Sequence, residues 1–152
     1  MGRAIGSVVV GYVVMAVVIM ISFTLAWLAL GADGSFEPGT YEVSAVCIVM
    51  SIVVGLLAAM LGGFVCSAVA KRATPPKVLA AIVLVLGLGL AIPELSGDQV
   101  PAERPAEVSM TEANTNAEQP VWLALLNPLI GAVGVLAGAR LKNRSQGGSL
   151  PA

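Results

Sequence analysis

The chain has no histidine, and only 11% of its 152 residues are charged. A soluble domain ordinarily carries about 25% charged residues, so an ordinary soluble enzyme is excluded. At 57% hydrophobic, a disordered chain is excluded as well. The absence of histidine removes imidazole as a metal or haem ligand and as the usual general base near neutral pH. Cysteine is almost as scarce, with Cys47 and Cys66 the only two. They share one apolar run, where about 1.5 Å of rise per helical residue puts about 28 Å between them, too far for a disulfide. A disulfide-stapled domain and a Cys-x-x-Cys oxidoreductase are both excluded.

What fills the chain instead is long apolar runs. They cover residues 4–30, 43–70, 78–92 and 120–139, and none contains Asp, Glu, Lys or Arg. A membrane-spanning helix needs about 20 such residues, and only the third run is markedly shorter. The runs are continuous rather than alternating, which favours helices over barrel strands. The first is too long for a signal peptide, whose apolar core is about 7–15 residues, and is read as a retained span. Pro75 and Pro76 suit the first turn of the third helix and Pro120 that of the fourth, while Pro93 marks an end or a kink. The expected fold is an all-α membrane protein, four transmembrane helices in an antiparallel up-down bundle. One domain would occupy residues 1–144, with an external loop over 93–119 and a flexible tail over 145–152.

Charge placement sets the orientation. Arg3, Lys71, Arg72, Lys77, Arg140, Lys142 and Arg144 fall on one side of a four-span arrangement, and only Arg104 on the other. All nine acidic residues, Asp33, Glu37, Glu42, Glu94, Asp98, Glu103, Glu107, Glu112 and Glu118, lie on the side of Arg104. The positive-inside rule then puts both termini in the cytoplasm, and Trp27, Tyr41 and Trp122 fall where an outer aromatic belt would lie. Loop one, GADGSFEPGT, reads as a hairpin connection, and the basic loop KRATPPK would favour anionic headgroups. In the third loop Ser109 is placed to cap a short helix with Glu112 three residues on. Met110, Ala113 and Ala117 would share one face of that helix. The external carboxylates lack the spacing of a calcium loop.

The spans hold no ionisable group other than the two thiols and the Tyr12 phenol. Proton relays, coupled antiporters and ion pathways depend on intramembrane ionisable residues, so no enzyme activity, catalytic residue, cofactor or metal is expected. The most specific pattern is steric. Cys47, Ser51, Gly55, Ala59, Gly63 and Ser67 recur every four residues, with Ala58, Gly62, Cys66 and Ala70 in a parallel row. Gly131, Gly134 and Gly138 repeat the theme in the fourth span. Small residues at this spacing let helices approach closely. Ser51, Gly55, Ala59, Gly63, Ser67, Gly131, Gly134 and Gly138 are therefore the expected helix-packing interface, within the bundle or toward another subunit. A leucine at Gly55 or Gly63 should do far more damage than one at Val54. Asn127 beside Pro128 is the strongly polar feature at membrane depth, and Asn127 with Glu94 is the candidate polar membrane site. GLLAAMLGG from Gly55 and GAVGVLAGA from Gly131 share small positions, as a duplicated hairpin with a pseudo-twofold along the membrane normal would.

The stretches GYVVMAVVIMISFTLAWLALGADG and EQPVWLALLNPLIGAVGVLAGARLKNR resemble small bacterial four-span inner-membrane proteins to which no activity is attached. The resemblance extends over most of the chain. It implies a multi-pass protein of the bacterial inner (plasma) membrane and carries over no functional residue. The expected function is a non-catalytic integral membrane protein, an accessory or packing subunit of a larger assembly or a self-associating bundle. The alternative is a small oligomeric channel or transporter for a neutral or apolar solute. The expected partners are the lipid bilayer and other membrane subunits or a second copy, with no nucleic acid. Orientation is checked by cysteine accessibility: a probe at Ser109 should react from outside the cell, and one at Ser145 only after permeabilisation. The reverse pattern would overturn the topology.

Overall fold

The computed structural model describes residues 2–70, 72, 74–95, 103–105 and 108–147, apart from the side chains at 93, 94 and 145–147. Five helices follow in order, α1 (Gly2–Ser35), α2 (Ala45–Ala70), α3 (Thr74–Leu95), α4 (Met110–Asn116) and α5 (Val121–Gly147). All but α4 are long and apolar enough to cross a membrane, so the chain folds as a multi-pass helical membrane protein. Pro75 and Pro76 occupy the first turn of α3, where their missing N–H groups would have had no helical partner. Pro93 does not end α3, which continues to Leu95. A proline near a helix terminus deletes one backbone bond while keeping φ helical. α5 runs past residue 139 to Gly147 and carries Arg140, Lys142 and Arg144 in helical backbone, where cations favour the negative end of the helix dipole.

Chain order and packing order differ. The most extensive contact is between α2 and α5, followed by α1 with α2 and α3 with α5. The connected pair α2 and α3 touch far less. The bundle is therefore read around its circumference as α1, α2, α5, α3.

The α2–α5 seam is where the small residues matter. A methyl group placed on Gly63 would fall on the carbonyl oxygen of Val135, and one on Gly138 would fall on that of Met60. One on Gly134 would come within 2.7 Å of Ala59 Cβ. Ala59 thus meets Gly134, and Ser67 donates from Oγ to Asn143 Oδ1 at 3.2 Å, so the two helices run parallel. Exchanging Gly63 for Gly138 and Met60 for Val135 converts one carbonyl contact into the other, which is a local pseudo-twofold along the bundle. Its register is one residue removed from the alignment of Gly55 with Gly131. The relation does not extend outward: Gly11 in α1 lies against Gly62 and Cys66, whereas Gly87 in α3 lies against Pro128.

The second small row of α2 serves the other neighbour. Ala58, Gly62, Cys66 and Ala70 are buried, and so are Ser7, Gly11 and Met15 on one face of α1. A methyl on Gly11 would stand 2.8 Å from Cys66 Cβ and 2.9 Å from the Gly62 carbonyl oxygen. Met15, Ala59, Cys66, Leu79, Ala80 and Val135 form the core where the rows converge. Gly55 takes no part in packing within the bundle, because nothing stands within 4 Å of a methyl group placed there. The four-residue periodicity rotates slowly around a helix of 3.6 residues per turn. The row's outer end consequently swings clear of α5.

Alanine at Gly63 or Gly138 should therefore cost about 1–3 kcal/mol, the usual range for overpacking. Alanine at Gly55 should gain up to about 1 kcal/mol from helix propensity. Unfolding of the purified variants in mixed detergent micelles checks the contrast, and equal midpoints for all three would remove the seam from the account of stability.

Candidate functional site

Polar chemistry gathers at the acidic end, in a small cap built on the end of α1. Gly31 has φ 64° and ψ −170°, a left-handed conformation that glycine adopts without steric cost. It bends the last turn of α1, and Ser35 Oγ donates back to the Gly31 carbonyl at 2.7 Å. The chain then reverses as the hairpin-like loop one. Phe36 bridges to Val43, Glu37 N donates to Glu42 O at 2.9 Å, and Gly39 has φ 75°. The far side of this loop pairs with the segment entering α5: Val43 N donates to Glu118 O at 3.0 Å and Glu118 N to Tyr41 O at 2.9 Å.

Under the loop, Trp27, Phe36 and Tyr41 meet edge to face, with centroids 6.4 and 5.9 Å apart, a favoured aromatic geometry. Tyr41 is only 3% exposed. It sits inside the cap rather than in a lipid-facing belt, whereas Trp122 is exposed. The Tyr41 hydroxyl finds its partner on α4, donating to Glu112 Oε1 at 3.4 Å, a long contact. α4 itself begins as its sequence indicates, with Ser109 Oγ accepting from Glu112 N at 3.2 Å and Ala113 buried.

Arg104, the cation that stands alone among the acids, holds the cap from the side. Its side chain is 4% exposed. Nη2 donates to Asp33 Oδ1 at 2.7 Å and Nε to Thr40 O at 3.2 Å, while its backbone N donates to Gly39 O at 3.0 Å. Nη1 is buried and has no hydrogen-bond partner. Asp33 lies 91% exposed, so solvent screens its half of the pair and most of the constraint falls on the arginine. Burial pushes the Tyr41 phenol above its ordinary value, the Glu112 carboxylate adds to the rise, and Arg104 opposes it.

The candidate membrane site at Asn127 lies elsewhere. Asn127 and Gln119 line a cleft of about 240 Å³ between α3 and α5, with Gly87 and Ala91 on its far wall. Pro128 is buried in the continuous helix α5 and rests against Gly87, where a methyl group would come within 2.6 Å of the ring. The side chain of Glu94 lies outside the described residues. Tyr12, on α1, is exposed and does not line the cleft. Of the small residues, Ala59, Gly63, Ser67, Gly134 and Gly138 meet across the α2–α5 seam, while Gly131 faces Val83 of α3. Ser51 turns its hydroxyl back to the Ile48 carbonyl at 2.8 Å. Cys47 and Cys66 are buried free thiols. Among the described residues no three His, Cys, Asp or Glu side chains gather as metal ligands do.

Comparison of the chain with protein-family profiles, with curated proteins and with solved structures finds no match.

The cap gives a titration test. In a Tyr12→Phe background Tyr41 is the sole phenol, and its tyrosinate absorbance should appear above the ordinary value of about 10. Glu112→Gln should lower that midpoint and Arg104→Gln should raise it. A folded pKa above the unfolded one means that the protonated form favours folding. Tyr41's contribution is therefore present below the unfolded value and lost as pH rises through the folded one. A midpoint unmoved by either substitution would separate Tyr41 from both charges.

Proposed function

We propose that the protein is a non-catalytic integral membrane protein that works through helix contact, as an accessory or packing subunit of a larger membrane assembly or as a self-associating bundle. The observation that carries this reading is the division of the small-residue row. Its inner half, Ala59 and Gly63, is filled by α5 of the same chain, whereas Gly55 stands open. An open helical glycine between half-buried Ser51 and buried Ala59 lets a further helix approach closely, which is how membrane helices gain contact without a hydrophobic driving force between them. Part of the proposal is a bacterial inner-membrane setting with cytoplasmic termini, supported by the segregation of basic and acidic residues to opposite ends. A second reading, a small oligomeric channel or transporter for a neutral or apolar solute, draws on the Asn127–Gln119 cleft.

The test is association. Protein solubilised from membranes at low detergent should migrate as a complex or oligomer, and Gly55→Leu should weaken that association about tenfold, or about 1.4 kcal/mol, while leaving the unfolding midpoint of the bundle in place. A wild-type chain that is monomeric and partnerless would overturn the reading. Solute flux in liposomes abolished by Asn127→Leu would replace it with the second.

A further inference from the structure

The basic end of the bundle carries grooves that the helix-contact reading does not use. One lies between α3 and α5, with a volume of about 290 Å³. Pro76, Ala80, Leu136 and Ala139 form its apolar wall, and Lys77 from α3 and Arg140 and Asn143 from α5 complete its lining. The two cations therefore reach one space from two different helices. Both are exposed, and the one ion pair among the described residues, Arg104 with Asp33, is at the other end of the molecule. All nine carboxylates belong to the acidic end by sequence, so no acidic side chain of the spans or of the basic loop neutralises this pair. A ligand matching the groove has an anionic group at the mouth and an apolar chain along the wall.

We propose that this groove binds an anionic phospholipid of the surrounding bilayer, with the phosphate between Lys77 and Arg140 and an acyl chain against Ala80 and Leu136. Basic pockets between membrane helices take acidic lipid headgroups in this way, because attraction to the headgroup adds to burial of the chain. The inference requires only that α3 and α5 cross a bilayer, and it stands whether or not the protein associates with others. A second groove between α1 and α3, about 520 Å³ and lined by Val8, Val78 and Arg72, presents a single cation. It lacks the paired charge on which the selectivity depends.

Native mass spectrometry of the detergent-purified full chain tests the site, with dioleoyl phosphatidylglycerol and dioleoyl phosphatidylcholine as probes of equal chain length. Wild type should retain the anionic lipid preferentially. Lys77→Gln and Arg140→Gln should each reduce that preference about fivefold, in keeping with the attraction of one cation near a membrane surface. Arg3→Gln removes the same charge from the same end, where Arg3 Nε donates to the Val69 carbonyl, and should leave the preference intact. Leu136→Trp fills the groove without touching its charges and should displace the lipid, whereas inorganic phosphate should not compete. Equal retention of the two lipids would overturn the proposal. So would a loss with Arg3→Gln as large as with the groove cations, unaltered binding to Leu136→Trp, or displacement by inorganic phosphate.

Discussion

The structure depends on a single close approach, the backbone-to-backbone contact of α2 and α5 where Gly63 meets the Val135 carbonyl and Gly138 meets that of Met60. In a bilayer no hydrophobic force drives one apolar helix onto another, so the gain comes from dispersion at short range. Two glycines placed reciprocally let both helices donate a gap and fill one. Because both helices run from the acidic to the basic end, the pair is parallel, and chain connectivity then puts α1 and α3 on its flanks. The limited contact of α3 with α2, its neighbour in sequence, follows from that choice.

The acidic end solves a different problem. Loop one and the segment before α5 must be held together without a membrane around them, and the solution is a mixture of short backbone bridges, three aromatic rings and one arginine. Arg104 reaches three partners on α1 and loop one, joining a distant part of the chain to both. Its unpaired Nη1 is a cost, since a buried donor without a partner forfeits its hydration. The two ends are thus unlike in kind. One is a cap closed over aromatic rings, and the other presents exposed cations such as Lys77 and Arg140 beside apolar grooves.

How legible this was depends on the residue. Asn127 is conspicuous as an amide in an apolar run, yet the Gly87 and Ala91 wall across the cleft from it follows only from the pairing of α3 with α5. Gly87 reads as one glycine among many until Pro128 is found resting on it. Arg104 has a signal in its isolation among carboxylates, but nothing nearby in sequence names Asp33 or Thr40 as partners. Gly55 and Gly63 are equivalent in the four-residue pattern, and packing separates them, because a repeat of four drifts around the helix and a straight neighbour touches only part of it.

By itself the sequence determined the number of spans, the segregation of charge between the two ends, the proline at the head of α3 and the Ser109 cap of α4. Each is a local or compositional property, decided by the energy of placing a residue in hydrocarbon or by hydrogen bonds within one turn. Only the tertiary structure decided which neighbour each small-residue row meets, that α2 takes α5 as its parallel partner, and that Tyr41 and Arg104 are buried in the cap. Helices that are apolar on every side carry no facial hydropathy to direct them. Their pairing is settled by steric fit among residues far apart in the chain, such as Met60 with Gly138.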